Sequence, residues 1–249
     1  MSFQGRIALL PVILINVFAK RSKKLERIDT GDYTAAEYDL FLHEIKFINS
    51  VTGDLKALQN TLLPDIRGNK LTQFSVLDVG AGSGEMLRAV ANFAKDAGLK
   101  CTLTGLELHK RSAEAILQDS AGFPEINAVR SNALMLPFAD NTFDYSICSL
   151  FTHHLRNEDV VNVISEMNRV SRRGIFVTDL HRHPLAYVFY TVFCLVFRIS
   201  PLVREDGLLS ILRSFKPEEL RELGEQAGIK NASIKRSFPF RLVLTAPQI

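Results

Sequence analysis

The sequence predicts an α/β fold: a doubly wound, seven-stranded, mostly parallel sheet with an antiparallel edge hairpin and an N-terminal helical cap. Three observations carry this. From residue 74 onward, short apolar runs alternate with stretches of helical spacing, the signature of parallel βαβ units. The first run passes through a cluster of glycines straight into a helix. The last two runs are joined by a turn at Pro239, too short for the crossover that parallel neighbours require, so they form a hairpin.

The elements follow in order. Residues 7–19 are almost wholly apolar, interrupted by Pro11 and Asn16, and Lys20, Arg21, Lys23 and Lys24 come next. This run is shorter than the roughly 20 residues of a spanning helix. Its basic residues lie mainly after the apolar stretch, the reverse of a secretion signal. Three readings stay open: a helix packed on the domain, an interfacial anchor with its basic cluster against anionic lipid, and a cleaved targeting segment. Residues 25–63 have helical spacing, Thr34 and Glu37 are placed for a capping box, and Pro64 is expected to end this region. Strands are expected at 74–79, 102–106, 126–130, 145–150 and 175–180, with helices at 85–97, 110–119 and 157–170 between them. Residues 185–199 are very apolar and lie between Pro184 and Pro201. They read as a buried helix, or as a lid over an apolar pocket or a membrane contact; Arg198 within the run argues against spanning. Pro217 suits the first turn of a further helix, and strands near 232–237 and 240–245 complete the sheet. The expected organisation is an apolar and basic segment at 1–24, a helical cap at 25–70, and a ligand-binding domain at 71–249 with an apolar insertion at 183–214.

Composition narrows the function classes. The chain has 249 residues, 47% hydrophobic and 23% charged, enough apolar content for a large core and too much for a disordered tail. With 30 basic against 27 acidic residues, the net charge of +3 does not mark a nucleic-acid binder, and no basic–aromatic stripe stands out. Cys101, Cys148 and Cys194 are widely separated and set among apolar residues, with neither a disulfide framework nor metal-ligand spacing. A reducing, cytoplasmic setting fits them.

The segment Asp78-Val79-Gly80-Ala81-Gly82-Ser83-Gly84-Glu85 is the most informative. Glycines there let the backbone approach a ligand without side-chain clash. The dinucleotide fingerprint G-x-G-x-x-G would need its third glycine at position 85, which is Glu85. A pyrophosphate would meet that carboxylate where it wants bare amides, and the Gly-Lys-Ser/Thr of a P-loop is absent. The loop therefore suits a nucleoside ligand that is not strongly anionic. Glu107, at the end of the next strand, can accept hydrogen bonds from both ribose hydroxyls.

These residues resemble motif I of the class I S-adenosylmethionine-dependent methyltransferases, and Glu107 matches the acidic residue that ends the family's second strand. Residues 131–144, with Asn132-Ala133-Leu134-Met135-Leu136-Pro137-Phe138 at their centre, resemble the family's D-A-x-x-L-P-F segment. The resemblance covers residues 74–180. It implies a Rossmann-like fold, S-adenosyl-L-methionine as cofactor, and a cofactor site of Asp78, Gly80, Ala81, Gly82, Gly84, Glu107, Leu108, Asn132, Ala133, Leu134 and Leu150. Asn132 stands where the family has Asp; its carbonyl can accept from the adenine amine and its amide can donate to a ring nitrogen. Asp78 is expected to order the glycine loop or to bind the methionine amino group through water. A weaker resemblance, in Phe151-Thr152-His153-His154-Leu155 and the Phe215-Lys216-Pro217-Glu218-Glu219-Leu220 ending, is to a bacterial subgroup associated with polyketide or lipid-like products.

A phenol or enol acceptor must lose a proton. His153 and His154 follow the fourth strand and His181 the fifth, on the ligand-binding edge of such sheets, so these three are the catalytic candidates. The implied activity is methyl transfer to a hydrophobic small molecule, by O-methylation of a phenolic or polyketide-type lipid or by C-methylation of a quinone precursor. A non-catalytic nucleoside-binding scaffold is the alternative of another class. No metal and no nucleic acid are expected, and contact with the inner face of a membrane is.

Overall fold

The computed structural model describes residues 17–247; most of the N-terminal apolar run lies outside them. The described chain divides into two compact units. One takes the residues up to Thr52 together with Leu180–Lys216, the other Gly53–Asp179 and the residues from Pro217 onward.

The second unit carries the sheet. Its strands are β1 (Gln73–Val79), β2 (Lys100–Glu107), β3 (Ile126–Arg130), β4 (Phe143–Ser149), β5 (Ser171–Leu180), β6 (Ser233–Ser237) and β7 (Arg241–Pro247). Their order is β3-β2-β1-β4-β5-β7-β6. β1, β2, β3, β4 and β5 pair in parallel, and β6 and β7 form the antiparallel edge hairpin. The chain moves outward from β1 to β3, then returns to place β4 on the other side of β1. That reversal opens a crevice beyond the carboxyl ends of β1 and β4, where ligands bind in such sheets.

The burial pattern explains the strands. Val76, Leu77, Leu103, Tyr145, Ile147 and Val177 are almost wholly buried, because helices cover both faces. Asp144 fixes the register at the opposite, amino-terminal edge by accepting from the Ser75 N–H and hydroxyl, at 2.9 and 3.1 Å. Helices of this unit are α3 (Asp54–Asn60), α4 (Leu62–Gly68), α5 (Glu85–Asp96), α6 (Lys110–Asp119), α7 (Asn157–Val170) and α10 (Pro217–Gln226).

The first unit is helical: α1 (Arg27–Thr30), α2 (Ala35–Val51), α8 (Pro184–Val196) and α9 (Pro201–Arg213). Thr34 and Glu37 form the expected capping box at the start of α2. Asp206 of α9 accepts from the backbone N–H groups of Arg27 and Ile28 at 2.8 and 2.9 Å, so a distant carboxylate caps α1.

Two sequence expectations need correction. Pro64 does not end the early helical region; α4 runs through it to Gly68. Proline there sits in the first turn, where its missing N–H has no partner to lose. Leu150 is not the last residue of β4: its backbone is left-handed, φ 51°, and turns the chain. Within the 183–214 insertion, the segment after Ile199 forms α9, begun by Pro201 as α8 is begun by Pro184.

Candidate active site

The glycine loop leaves β1 with its first N–H groups still tied to the neighbouring strand. Gly80 and Ala81 donate to the Leu106 carbonyl at 2.9 and 3.3 Å. Gly80, Gly82 and Gly84 all have positive φ, 73°, 58° and 80°, so each turn of the loop needs glycine. Their surroundings differ. A Cβ on Gly80 would lie 2.7 Å from the Phe151 ring, whereas among the described residues nothing lies within 4 Å of one on Gly82. The middle of the loop faces open space. Gly84 then serves as the N-cap of α5.

Two side chains clamp the loop. Glu107 accepts the Gly82 N–H at 2.6 Å. Arg88 donates to the Ser83 carbonyl at 2.6 Å and to the Ser120 hydroxyl at 3.2 Å. Burial raises the Glu107 pKa, opposed by the N–H groups of Gly82 and Leu108. Asp78, one residue below the loop, is 1% exposed. Among the described residues, neither of its carboxylate oxygens has a hydrogen-bond partner. Burial, and secondarily the charge of Glu107, push its pKa up to about 8. Asp78 therefore does not order the loop through a hydrogen bond, as one sequence reading had it; Glu107 and Arg88 do that.

Leu108 and Leu134 are exposed, and Ala133 is buried. The Asn132 carbonyl accepts the Leu134 N–H at 2.9 Å, closing a turn. That oxygen is engaged, and the side-chain NH₂ is the group Asn132 presents as a donor, the reverse of an Asp.

Across the crevice, Leu150 donates to the Thr178 carbonyl at 2.9 Å and turns the chain into a short 3₁₀ helix, Thr152–His154. A non-glycine residue with positive φ at a strand end is strain of the kind found at functional sites. The turn delivers His153 onto Asp179. His153 Nδ1 lies 2.7 Å from Asp179 Oδ1, and Asp179 Oδ2 accepts from the His153 N–H at 3.0 Å and the Thr152 hydroxyl at 2.5 Å. In the tautomer that donates Nδ1–H to Asp179 Oδ1, Nε2 is the acceptor nitrogen of the ring. Asp179 is fully buried, and the His154 ring lies 4.2 Å from that of His153. Cys148 is buried and its thiol is pushed well above the usual range, so it supplies no nucleophile.

Thus the cofactor-binding candidates and two histidines gather at the carboxyl edge of the second unit. His181 belongs to the first unit, where it bridges to Phe215 and its ring lies 5.2 Å from that of His183. Sequence reading missed Arg88, Thr152 and Asp179 as site residues. Asp179 was visible as a strand-end carboxylate, the same signal that singled out Glu107.

Fold and site together define a Rossmann-like enzyme with a nucleoside pocket. Residues 77–178 match the methyltransferase domain family. A demethylmenaquinone methyltransferase of Bacillus licheniformis is 32% identical over 170 residues, 63% of this chain and 71% of that protein. One of Staphylococcus aureus is 29% identical over 74% of this chain and 78% of that protein. Among solved structures, a SAM-dependent methyltransferase from Aquifex aeolicus shares the fold with a TM-score of 0.55 at 16% identity, over 82% of this chain and 98% of that one. Magnesium protoporphyrin IX methyltransferase from Synechocystis with bound SAH gives 0.53 at 14% identity, over 79% of this chain and 84% of that one. The chain belongs to the class I S-adenosylmethionine-dependent methyltransferases, and S-adenosylmethionine is its cofactor.

The residues present fit that cofactor. A buried carboxylate whose two oxygens have no partner among the described residues, below a loop that is open at Gly82, suits a ligand that brings an ammonium group, directly or through water, and no phosphate. Glu107 would hold the ribose, and Asn132, Ala133 and Leu134 the adenine. The bound cofactor supplies an electrophilic methyl group on a positively charged sulfonium.

Proposed function

We propose that this methyltransferase acts on a hydrophobic, hydroxyl-bearing aromatic ring, a quinol of the quinone-precursor class, taken up at a membrane surface facing the cytoplasm. The observation that carries the reading is the buried His153–Asp179 pair at the carboxyl ends of β4 and β5. Asp179 holds the imidazole with Nε2 as the basic nitrogen, and Nε2 takes the proton of a ring hydroxyl. The resulting oxyanion raises electron density on the oxygen and on the ring carbon beside it, so one base serves attack on the methyl group by either atom; after attack by carbon, that carbon gives up its proton and the ring regains its aromaticity and hydroxyl. Orientation decides which. The relatives' names favour the quinone precursor over a polyketide-type phenol. Holding the two reactants in line supplies much of the acceleration, roughly 7–11 kcal/mol in well-oriented systems.

The test incubates the full chain with S-adenosylmethionine carrying an isotopic methyl and reduced, prenylated demethyl-quinols, beside phenolic lipids. The expected product carries the label on a ring carbon. Label on oxygen would move the acceptor to the phenol class. Transfer only to polar metabolites would overturn the reading.

A further inference from the structure

α8 buries one face and leaves the other in solvent. Ala186, Tyr190 and Cys194, four residues apart, are buried, and the Tyr190 hydroxyl donates to the Val203 carbonyl of α9 at 3.0 Å. The opposite face presents Leu185, Val188, Phe189, Val192, Leu195 and Val196, which are 42–67% exposed. Their spacing of threes and fours makes one stripe along the helix. Phe197, exposed, extends it toward Phe47 of α2, whose ring lies 5.3 Å away. Scattered exposed apolar residues are ordinary, but a contiguous stripe this long marks a contact surface. Thirteen residues of helix measure about 20 Å, too short to cross a bilayer, and among the described residues no helix is long and apolar enough to do so.

The charges that flank the stripe along the chain have one sign. Between Leu180 and Arg204 the sequence has no Asp or Glu. Arg198 is exposed just past the C-terminal end of α8. At the other end, the Phe18 ring packs edge-on against Tyr187 at 5.8 Å, which brings the segment with exposed Lys20, Lys23 and Lys24 beside the helix start. The α2 carboxylate reaching this region, Glu44, is engaged by the Ser200 N–H and hydroxyl at 3.0 and 2.6 Å. An apolar stripe with cations at both ends matches the acyl–headgroup boundary of an anionic bilayer.

We infer that α8 is a membrane-docking helix that lies in the plane of an anionic lipid surface, its Leu185–Val196 stripe among the acyl chains and Arg198 and the lysines at its other end on lipid phosphates. This deepens the reading of a membrane-borne acceptor and rests on it for its purpose. The two fail separately, because lipid binding and methyl transfer are measured apart.

The experiment floats the full chain with vesicles of phosphatidylcholine alone and of phosphatidylcholine mixed with phosphatidylglycerol. The protein should float with the mixed vesicles and release at high salt. V192E and L195E should each weaken partitioning by about tenfold or more, the size expected on losing one buried aliphatic contact and immersing a carboxylate. R198E should act mainly on the anionic vesicles. S-adenosylhomocysteine affinity, measured by calorimetry, should not change in any of these variants, which also shows that they fold. No flotation of the native chain overturns the inference. So does equal flotation of V192E and L195E, or loss of flotation only when residues 1–16 are removed. A native dimer that these substitutions dissociate, with no lipid binding, would assign the stripe to a second copy instead.

Discussion

Asp78 is a carboxylate without a donor in a place where a cation is expected. An ordinary Asp titrates near 3.8, and burial lifts this one to about 8. Between those values the folded state holds a proton that the unfolded chain has released, so stability falls as pH rises through the window. Below it both states are protonated and no penalty remains; above it the full cost of burying the charge is present. D78N should therefore flatten the decline in Tm of the ligand-free protein between pH 4.5 and 8, while weakening S-adenosylhomocysteine about tenfold or more, as expected for one lost charge-assisted contact. An unchanged Tm–pH slope in D78N would show that Asp78 is not the group responsible. The His153–Asp179 pair makes a second prediction. D179N preserves shape but offers an amide where His153 needs an acceptor, which favours the wrong tautomer. Its kcat should fall roughly 10²–10⁴-fold with cofactor affinity retained, and H153Q should fall similarly, the double variant no further than either single one.

At the scale of elements, the glycine loop separates packing from ligand space. Gly80 and Gly82 share positive φ, so alanine at either costs about 1–2 kcal/mol of backbone strain. Only at Gly80 does the new methyl also strike the Phe151 ring. G80A should lower stability by roughly 2–5 kcal/mol, strain plus overpacking. G82A should cost only the strain and reduce cofactor affinity, because its methyl enters the space the ligand needs; denaturant melts and calorimetry on the two variants read the contrast directly. This loop was legible because its chemistry is local: strand, glycines and helix follow one another, and Lys110–Asp119 and Asn157–Val170 were equally plain from apolar spacing. The opening of β5 was not. Ser171, Arg172 and Arg173 carry no strand pattern, and they become strand because Ser171 pairs with Phe143 of β4, ahead of a register shift beyond which Tyr145 pairs with Gly174. Nor was the Leu150 turn legible, since a leucine gives no sign of positive φ. Asp179 ended a strand in plain view, but its partners Thr152 and His153 meet it only once β4 and β5 lie side by side.

At the scale of the molecule, each unit is built from two stretches of chain far apart in sequence and held by polar contacts that no local pattern announces. In the first unit, Asp206 caps α1, and the Arg213 guanidinium donates to the Lys24 carbonyl at 2.8 Å. In the second, Arg241 at the start of β7 grips Asp54 in the first turn of α3, Nε to Oδ1 at 2.6 Å, with side chains 7% and 1% exposed. These locks are predicted to be separable. D54A strands a buried guanidinium and should cost about 3–5 kcal/mol, or a Tm drop of roughly 6–20 °C at about 2–4 °C per kcal/mol for a chain of this size. D206A removes two charge-assisted bonds to backbone N–H groups, worth roughly 1.5–3 kcal/mol each at most. Its effect should appear first as faster amide exchange in residues 25–30, while S-adenosylhomocysteine, whose candidate binding residues all fall in the second unit, should still bind with native affinity. Loss of cofactor binding in D206A with exchange at 25–30 unchanged would show that the first unit is not held by this cap.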